Sequence, residues 1–318
     1  MRILKELRKE FINKNLKIVN KISRNVFKIS YKNKNYILKK IEVPLTSKEI
    51  IEQHKFVEYL YDNKVLVAKI INVFLKKNKL YELQEHIKTK TNNLDIEKLI
   101  ILLANFHEKS FEYKYDFCKK NIYKYKFKCK NARLNYLLLG FKEKYNIYPI
   151  KNLEKNYKLI YKTNRELIDK LIYIYNICYK FFINNYNFSS CIIHNDITSN
   201  NVLNKNGKLY LIDFDLAIKS SEYVDFVDAI IKRYSTLSGL IQGIQDLNLD
   251  YYIELYNKHN KHMKLDIKGV YAMIILKIIS FNFYVMLNRK NKKQFNENIN
   301  NLYIFINKIY SLFKEVEL

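Results

Sequence analysis

The run from Cys191 to Ala217, CIIHNDITSNNVLNKNGKLYLIDFDLA, constrains this chain more than any other. Short apolar stretches alternate there with polar residues at fixed intervals. His194, Asp196 and Asn201 follow H-x-D-x-x-x-x-N, and Asp213 and Asp215 close a later apolar run. The pattern predicts strands at 191–193, 201–203 and LYLID, the last two joined by a tight turn at Asn206-Gly207. One aspartate beside a strand is ordinarily a turn or cap residue. Several at the ends of successive strands, in a chain with 31 acidic and 57 basic residues, point to a shared cation.

Phosphoryl transfer needs such a set: a carboxylate that orients a hydroxyl and accepts its proton, and a cage of hard oxygens that holds Mg²⁺ on nucleotide phosphates. Asp196 is expected in the first role, and the Asn201 amide and the Asp213 carboxylate in the second. Without a cation these carboxylates would repel one another. Asp215, on the same strand face, reads equally as a second metal carboxylate or as a structural bond to the loop. His194 reads as a structural histidine, because the aspartate is the proton acceptor in this chemistry.

Upstream, residues 19–41 alternate β-rich runs, NVFKIS and NYILKKI, around the turn-like YKNK, an expected antiparallel hairpin. SKEIIEQHKFVEYLYD then reads as a helix with Ser47 as N-cap, and VAKIINVFL and KLYELQEHI as two further strands. From about residue 92 the periodicity turns helical, first in 95–113 with acidic residues at its start, which suits the helix dipole. Residues 165–182 and those after 267 are also expected helices, and 114–164 read as helix and loop.

This pattern resembles the aminoglycoside phosphotransferase and choline kinase superfamily, relatives of the protein kinases. Residues 192–235, IIHNDITSNNVLNKNGKLYLIDFDLAIKSSEYVDFVDAIIKRYS, look more closely like the spore-coat CotS family, with its further Asp ten residues after the second Asp of IDFD. That residue is Asp225. Read locally it is a helix N-cap with Asp228 at N3; the resemblance adds a contact bracing the catalytic loop. The resemblance also implies that Asn25 lies in the nucleotide-binding hairpin and that Lys39 of YILK reaches the α- and β-phosphates of ATP. Strand alternation places Ile37 on the face of Lys39, as an adenine contact would require. A solvated strand lysine is the competing reading. Backbone groups of Gln84, Glu85, His86 and Ile87 are implied as the adenine-facing hinge, and Glu52, ahead of Glu49 and Glu58, as the acidic partner of Lys39.

The resemblance implies an α+β, protein-kinase-like, two-lobed fold. A β-rich nucleotide-binding lobe would span 1–86, and a larger, mainly helical lobe with the catalytic and acceptor sites 87–318. The implied reaction is Mg²⁺-dependent transfer of the ATP γ-phosphate to a hydroxyl-bearing acceptor. The alternative is a kinase-fold spore-coat protein with little catalysis, bound to other coat proteins. Glycine favours that alternative: only Gly140, Gly207, Gly239, Gly243 and Gly269 occur, so the turn at Ser23, Arg24 and Asn25 lacks glycine's close backbone approach.

A formal charge of +26 would suit a polyanionic partner. The lysines are spread along the chain with Asn, Ile and Tyr, as in products of AT-rich genes, and no RNP-like, zinc or helix-turn-helix signature accompanies them, so no specific nucleic acid is expected. Four cysteines without CxxC spacing argue against a zinc knuckle and fit a reducing compartment. The basic N-terminus has no apolar core of a signal peptide, so the mother-cell cytoplasm, with assembly into the spore coat, is the expected location. Residues 270–287 are nearly long enough to span a bilayer, but a central Lys277 costs about 2.5–3.5 kcal/mol there, so a buried helix is expected.

Overall fold

The computed structural model describes residues 17–31, 34–41, 46–76, 79–89, 94–113, 155–156, 158, 161–162, 164–186, 191–231, 247–288 and 295–316. Most of the 114–164 stretch, read above as helix and loop, lies outside them. Among the described residues the N-terminal lobe is a five-stranded antiparallel sheet with one helix. In chain order it comprises β1 (Lys17–Lys21), β2 (Val26–Tyr31), β3 (Lys34–Lys40), helix α1 (Ser47–Asp62), β4 (Ile70–Lys76) and β5 (Lys79–Glu85). The sheet order is β1-β2-β3-β5-β4, so β5 separates β3 from β4. The expected hairpin is β2–β3, in register from Val26↔Lys39 to Tyr31↔Lys34.

The N-cap of helix α1 lies one residue before the expected one. Thr46, not Ser47, accepts from the Glu49 amide, while the Glu49 carboxylate returns to the Thr46 amide, a reciprocal capping box. The buried face of α1 presents Ile50, Gln53, Phe56, Val57 and Leu60 at helical spacing.

The C-terminal lobe follows with α2 (Ile96–Glu112), α3 (Arg165–Asn185), the short strands β6 (Cys191–Ile193), β7 (Val202–Lys205), β8 (Lys208–Leu211) and β9 (Ile218–Ser220), then α4 (Tyr223–Ile231), α5 (Leu249–His259), α6 (Ile267–Asn288) and α7 (Phe295–Glu315). Asp95 caps α2 through the Lys98 amide. β7 and β8 form the expected hairpin, with Asn206 and Gly207 both at positive φ (53° and 79°), the left-handed pair that a two-residue turn needs. Among the described residues no helix is long and apolar enough to cross a membrane. The segment that could have done so lies in α6, where buried Lys277 forms an ion pair with buried Asp228 of α4. Asp228 thus ties two helices together.

Backbone pairing and aromatic packing both help to join the lobes. Between α1 and β4, Leu66 O accepts from the Leu211 amide (2.9 Å) and the Ala68 amide donates back to Leu211 O (3.1 Å), so the chain entering the sheet is stitched to β8. Beside this seam Phe214 packs edge-on against Phe56 of α1 and Phe106 of α2, with ring centroids 6.3 and 6.0 Å away. Burying a ring of this kind stabilises by about 1.5–3 kcal/mol. It also fixes the two aspartates on either side of it.

Candidate active site

The site forms where β6, β8 and the turn after β8 meet β3 of the other lobe. Its centre is Lys39, whose Nζ lies 2.6 Å from Asp213 Oδ1 and 2.8 Å from Asp215 Oδ2. Burial alone would lower the ammonium's pKa. The charges of Asp215, Asp213 and Glu82 outweigh it and hold the pKa above the usual lysine value. Lys39 is therefore not a solvated strand lysine: it is 9% exposed and bonded across the cleft.

Asp213 adopts a left-handed backbone (φ 66°, ψ 69°), a conformation that costs a non-glycine residue about 1–3 kcal/mol. Phe214 on its C-terminal side and Lys39 at its carboxylate hold it there. Asp215 bonds to the Lys39 ammonium and, at 3.4 Å, accepts from the Gln53 side-chain amide of α1.

Asp196 leaves β6 after Asn195, which is also left-handed (φ 62°). The Asn201 Nδ2 donates to Asp196 O (2.9 Å) and Asp196 Oδ2 (2.8 Å). With its nitrogen committed, the Asn201 Oδ1 is the atom that would face a cation. Ile212 links this loop to Asp213. Its amide donates to Asn201 O (3.0 Å), and its carbonyl accepts from His194 Nε2 (2.7 Å), which fixes the tautomer of that ring. His194 thus has a structural bond.

Asp225 lies inside the first turn of α4, not at its N-cap. Its carboxylate accepts from the His194 amide (2.6 Å), the Asn195 amide (2.7 Å) and His107 Nε2 (3.2 Å). Burial would raise its pKa, but the bond and charge of His107 and the nearness of His194 hold it below the ordinary value. The other ring nitrogen of His107, Nδ1, is hydrogen-bonded to the Tyr256 hydroxyl at 2.8 Å.

The expected partner of Lys39 needs correction. Glu52 pairs with Lys55 on its own helix (3.2 Å), while the buried Gln53 is the residue of α1 that reaches Asp215. Consecutive residues on a helix are rotated by about 100°, so a choice by distance along the chain could not separate 52 from 53. The acid facing Lys39 from a neighbouring element is Glu82, directly opposite it in the β3–β5 register. Burial and the nearby aspartates push the Glu82 carboxyl up to about 7, against the pull of Lys39. Its position between Tyr81 and Leu83 was the only signal in the sequence.

The remaining expected residues line the sheet side. The Asn25 carbonyl accepts from the Lys40 amide at 2.8 Å, tying the first turn to β3. Gln84 and Glu85 belong to β5, paired with Ile37 and Tyr36, and the Glu85 amide donates to Lys69 O, whereas His86 and Ile87 lie beyond the strand. Burial lowers the His86 pKa, helped by Lys28 and Lys88.

Among the described residues no group of three or more His, Cys, Asp and Glu side chains has the geometry of a metal centre. The donors at hand are the hard oxygens of Asn201 and Asp213, a chemistry that fits Mg²⁺. The Asp213 and Asp215 carboxylates both bond to the Lys39 ammonium, a local excess of negative charge that a divalent cation would offset.

No family model matches the sequence. One curated relative, the DNA-directed RNA polymerase subunit beta'' of Plasmodium falciparum (isolate 3D7), is 25% identical over 331 aligned positions covering 88% of this chain. The chain spans 33% of that protein's length. The fold resembles a different group. The microcompartment-associated aminopropanol kinase superposes with a TM-score of 0.59 at 13% identity, over 95% of this chain and 92% of that one. Amicoumacin kinase, solved with AMP-PNP and Ca²⁺, gives 0.57 at 14%, over 97% and 93%. Spectinomycin phosphotransferase APH(9)-Ia, solved with ADP and spectinomycin, gives 0.54 at 14%, over 99% and 98%. The chain has the two-lobed fold of aminoglycoside phosphotransferase-like kinases.

Proposed function

We propose that the protein is an ATP- and Mg²⁺-dependent phosphotransferase acting on a hydroxyl-bearing small molecule. The observation that carries this reading is the bonding of Lys39 from the sheet to Asp213 across the cleft, with Asp213 joined through Ile212 to the Asp196–Asn201 pair. The fold neighbours, enzymes that phosphorylate small molecules, support it.

In this reading Asn201 Oδ1 and the Asp213 carboxylate hold Mg²⁺, which would neutralise charge on the nucleotide phosphates. Asp196 orients the acceptor hydroxyl and takes its proton as the oxygen forms a bond to the γ-phosphorus. The bond from that phosphorus to the β-γ bridging oxygen breaks, and ADP leaves with the electron pair. Lys39 serves the α- and β-phosphates, and the hinge from Gln84 to Ile87 receives adenine. Asn25 supports the turn above the phosphates. The CotS-like loop makes the mother-cell cytoplasm and the spore coat the setting. The glycine-free turn at 23–25, exposed at Ser23 and Arg24, favours the second reading, a coat protein that binds nucleotide and transfers little.

Thermal shift and turnover separate these readings. MgATP should raise the melting temperature well beyond ATP without a divalent ion, and Asp213→Asn should remove the difference. ATP consumption should rise with at least one member of a panel of amino alcohols, sugars and aminoglycosides. Equal shifts with and without Mg²⁺ would overturn the site assignment. A Mg²⁺-dependent shift without transfer to any acceptor, coat extract included, would favour the scaffold.

A further inference from the structure

The register Lys39↔Glu82 and Ile37↔Gln84 between β3 and β5 puts four side chains on the face of the sheet from which Lys39 reaches Asp213. Glu82 is 1% exposed. Its Oε1 accepts from the Gln84 side-chain amide, while Oε2 has no hydrogen-bond partner among the described residues. A buried carboxylate oxygen without a donor is costly, and a cation's N–H directed at it would recover that cost. Helix α1 turns the neutral Gln53 toward this place, with Glu52 engaged by Lys55 and the Glu49 carboxylate accepting from Thr46.

A cation bound to the Asp213 carboxylate would sit beside the Lys39 ammonium, and repulsion between the like charges would weaken the bond from Lys39 to Oδ1. We propose that Glu82 is the positioning residue for Lys39 in the nucleotide-loaded enzyme. The proposal rests on the phosphotransferase reading above. As Asp213 engages the cation, the ammonium gives up that bond, turns one N–H to Glu82 Oε2 and directs another at the phosphates. The anchoring acid of the phosphate lysine then comes from the neighbouring strand instead of the helix.

The test compares MgADP with adenosine, which lacks phosphates, as ligands of the wild type, Glu82→Gln, Lys39→Met and the double variant above neutral pH. Wild type should prefer MgADP. Glu82→Gln should weaken MgADP binding about tenfold, the scale of one hydrogen bond to a charged group, and leave adenosine binding unchanged. Lys39→Met should do the same, and the double variant should lose no more than Lys39→Met alone, because the two residues act as one unit. Equal losses for both ligands, or none, in Glu82→Gln overturn the assignment while the phosphotransferase reading stands. A wild type without preference for MgADP overturns both. If Glu82→Gln does not fold, Glu82→Asp should show the same phosphate-selective loss, and an unchanged MgADP-to-adenosine ratio in that variant overturns the proposal.

Discussion

The loop that carries Asp196 and the turn that would cover the phosphates are held in different ways. His194 and Asn195 are buried, their amides are fixed by Asp225, and the His194 ring is locked to Ile212. The turn at 22–25 lies at the surface. The amides of Ile22 and Ser23 both bond to Val26 O, and Ile22, Ser23 and Arg24 are exposed. The proton transfer and metal binding proposed for the Asp196 loop would depend on atomic placement, which its buried bonds suit; covering phosphates would need only backbone and charge nearby. The comparison explains how a glycine-free turn can coexist with an intact carboxylate set.

The comparison can be tested from both sides. Asp196→Asn should lower turnover by roughly 10² to 10⁴-fold, the range for general-base catalysis, with the MgATP thermal shift intact. Loss of the shift would mean that Asp196 serves binding. Asp225→Ala should destabilise the fold by about 3–5 kcal/mol in denaturant unfolding, because it strips a buried charge from two amides and His107. A loss as small as that from a surface substitution would remove the rigid half of the comparison.

The pH dependence of stability probes the sheet side of the cleft. The fold holds the Glu82 carboxyl at about 7, above its ordinary 4.5, so the folded state binds this proton more tightly than the unfolded one. Its contribution to stability is fully present below about 4.5 and is lost as pH rises through about 7. Wild type should therefore lose stability across that window relative to Glu82→Gln, as followed by melting temperature. Parallel curves for the two proteins would refute the assignment. The smallest effect is expected at the turn: Arg24→Ala should change stability by less than about 0.5 kcal/mol. A larger loss would show that the turn is as firmly built as the loop.

The spacing of His194, Asp196, Asn201, Asp213 and Asp215, the Asn206-Gly207 turn and the apolar periods of the helices are local properties, legible without reference to distant contacts; they carry the proposed chemistry and, together with the family resemblance, the two-lobed plan. The partners of Lys39 are of another kind. They depend on β5 lying beside β3, on the rotation of α1 that brings Gln53, not Glu52, to Asp215, and on the packing of Phe214 between two helices. Asp225 shows both sides: its distance from IDFD could be read along the chain, but its grip on the His194 and Asn195 amides and on His107 arises only when α4 packs beneath the loop. Sequence specifies which residues can bear charge and at what interval. Strand order and helix rotation, set by burial of apolar faces, decide which of those charges meet.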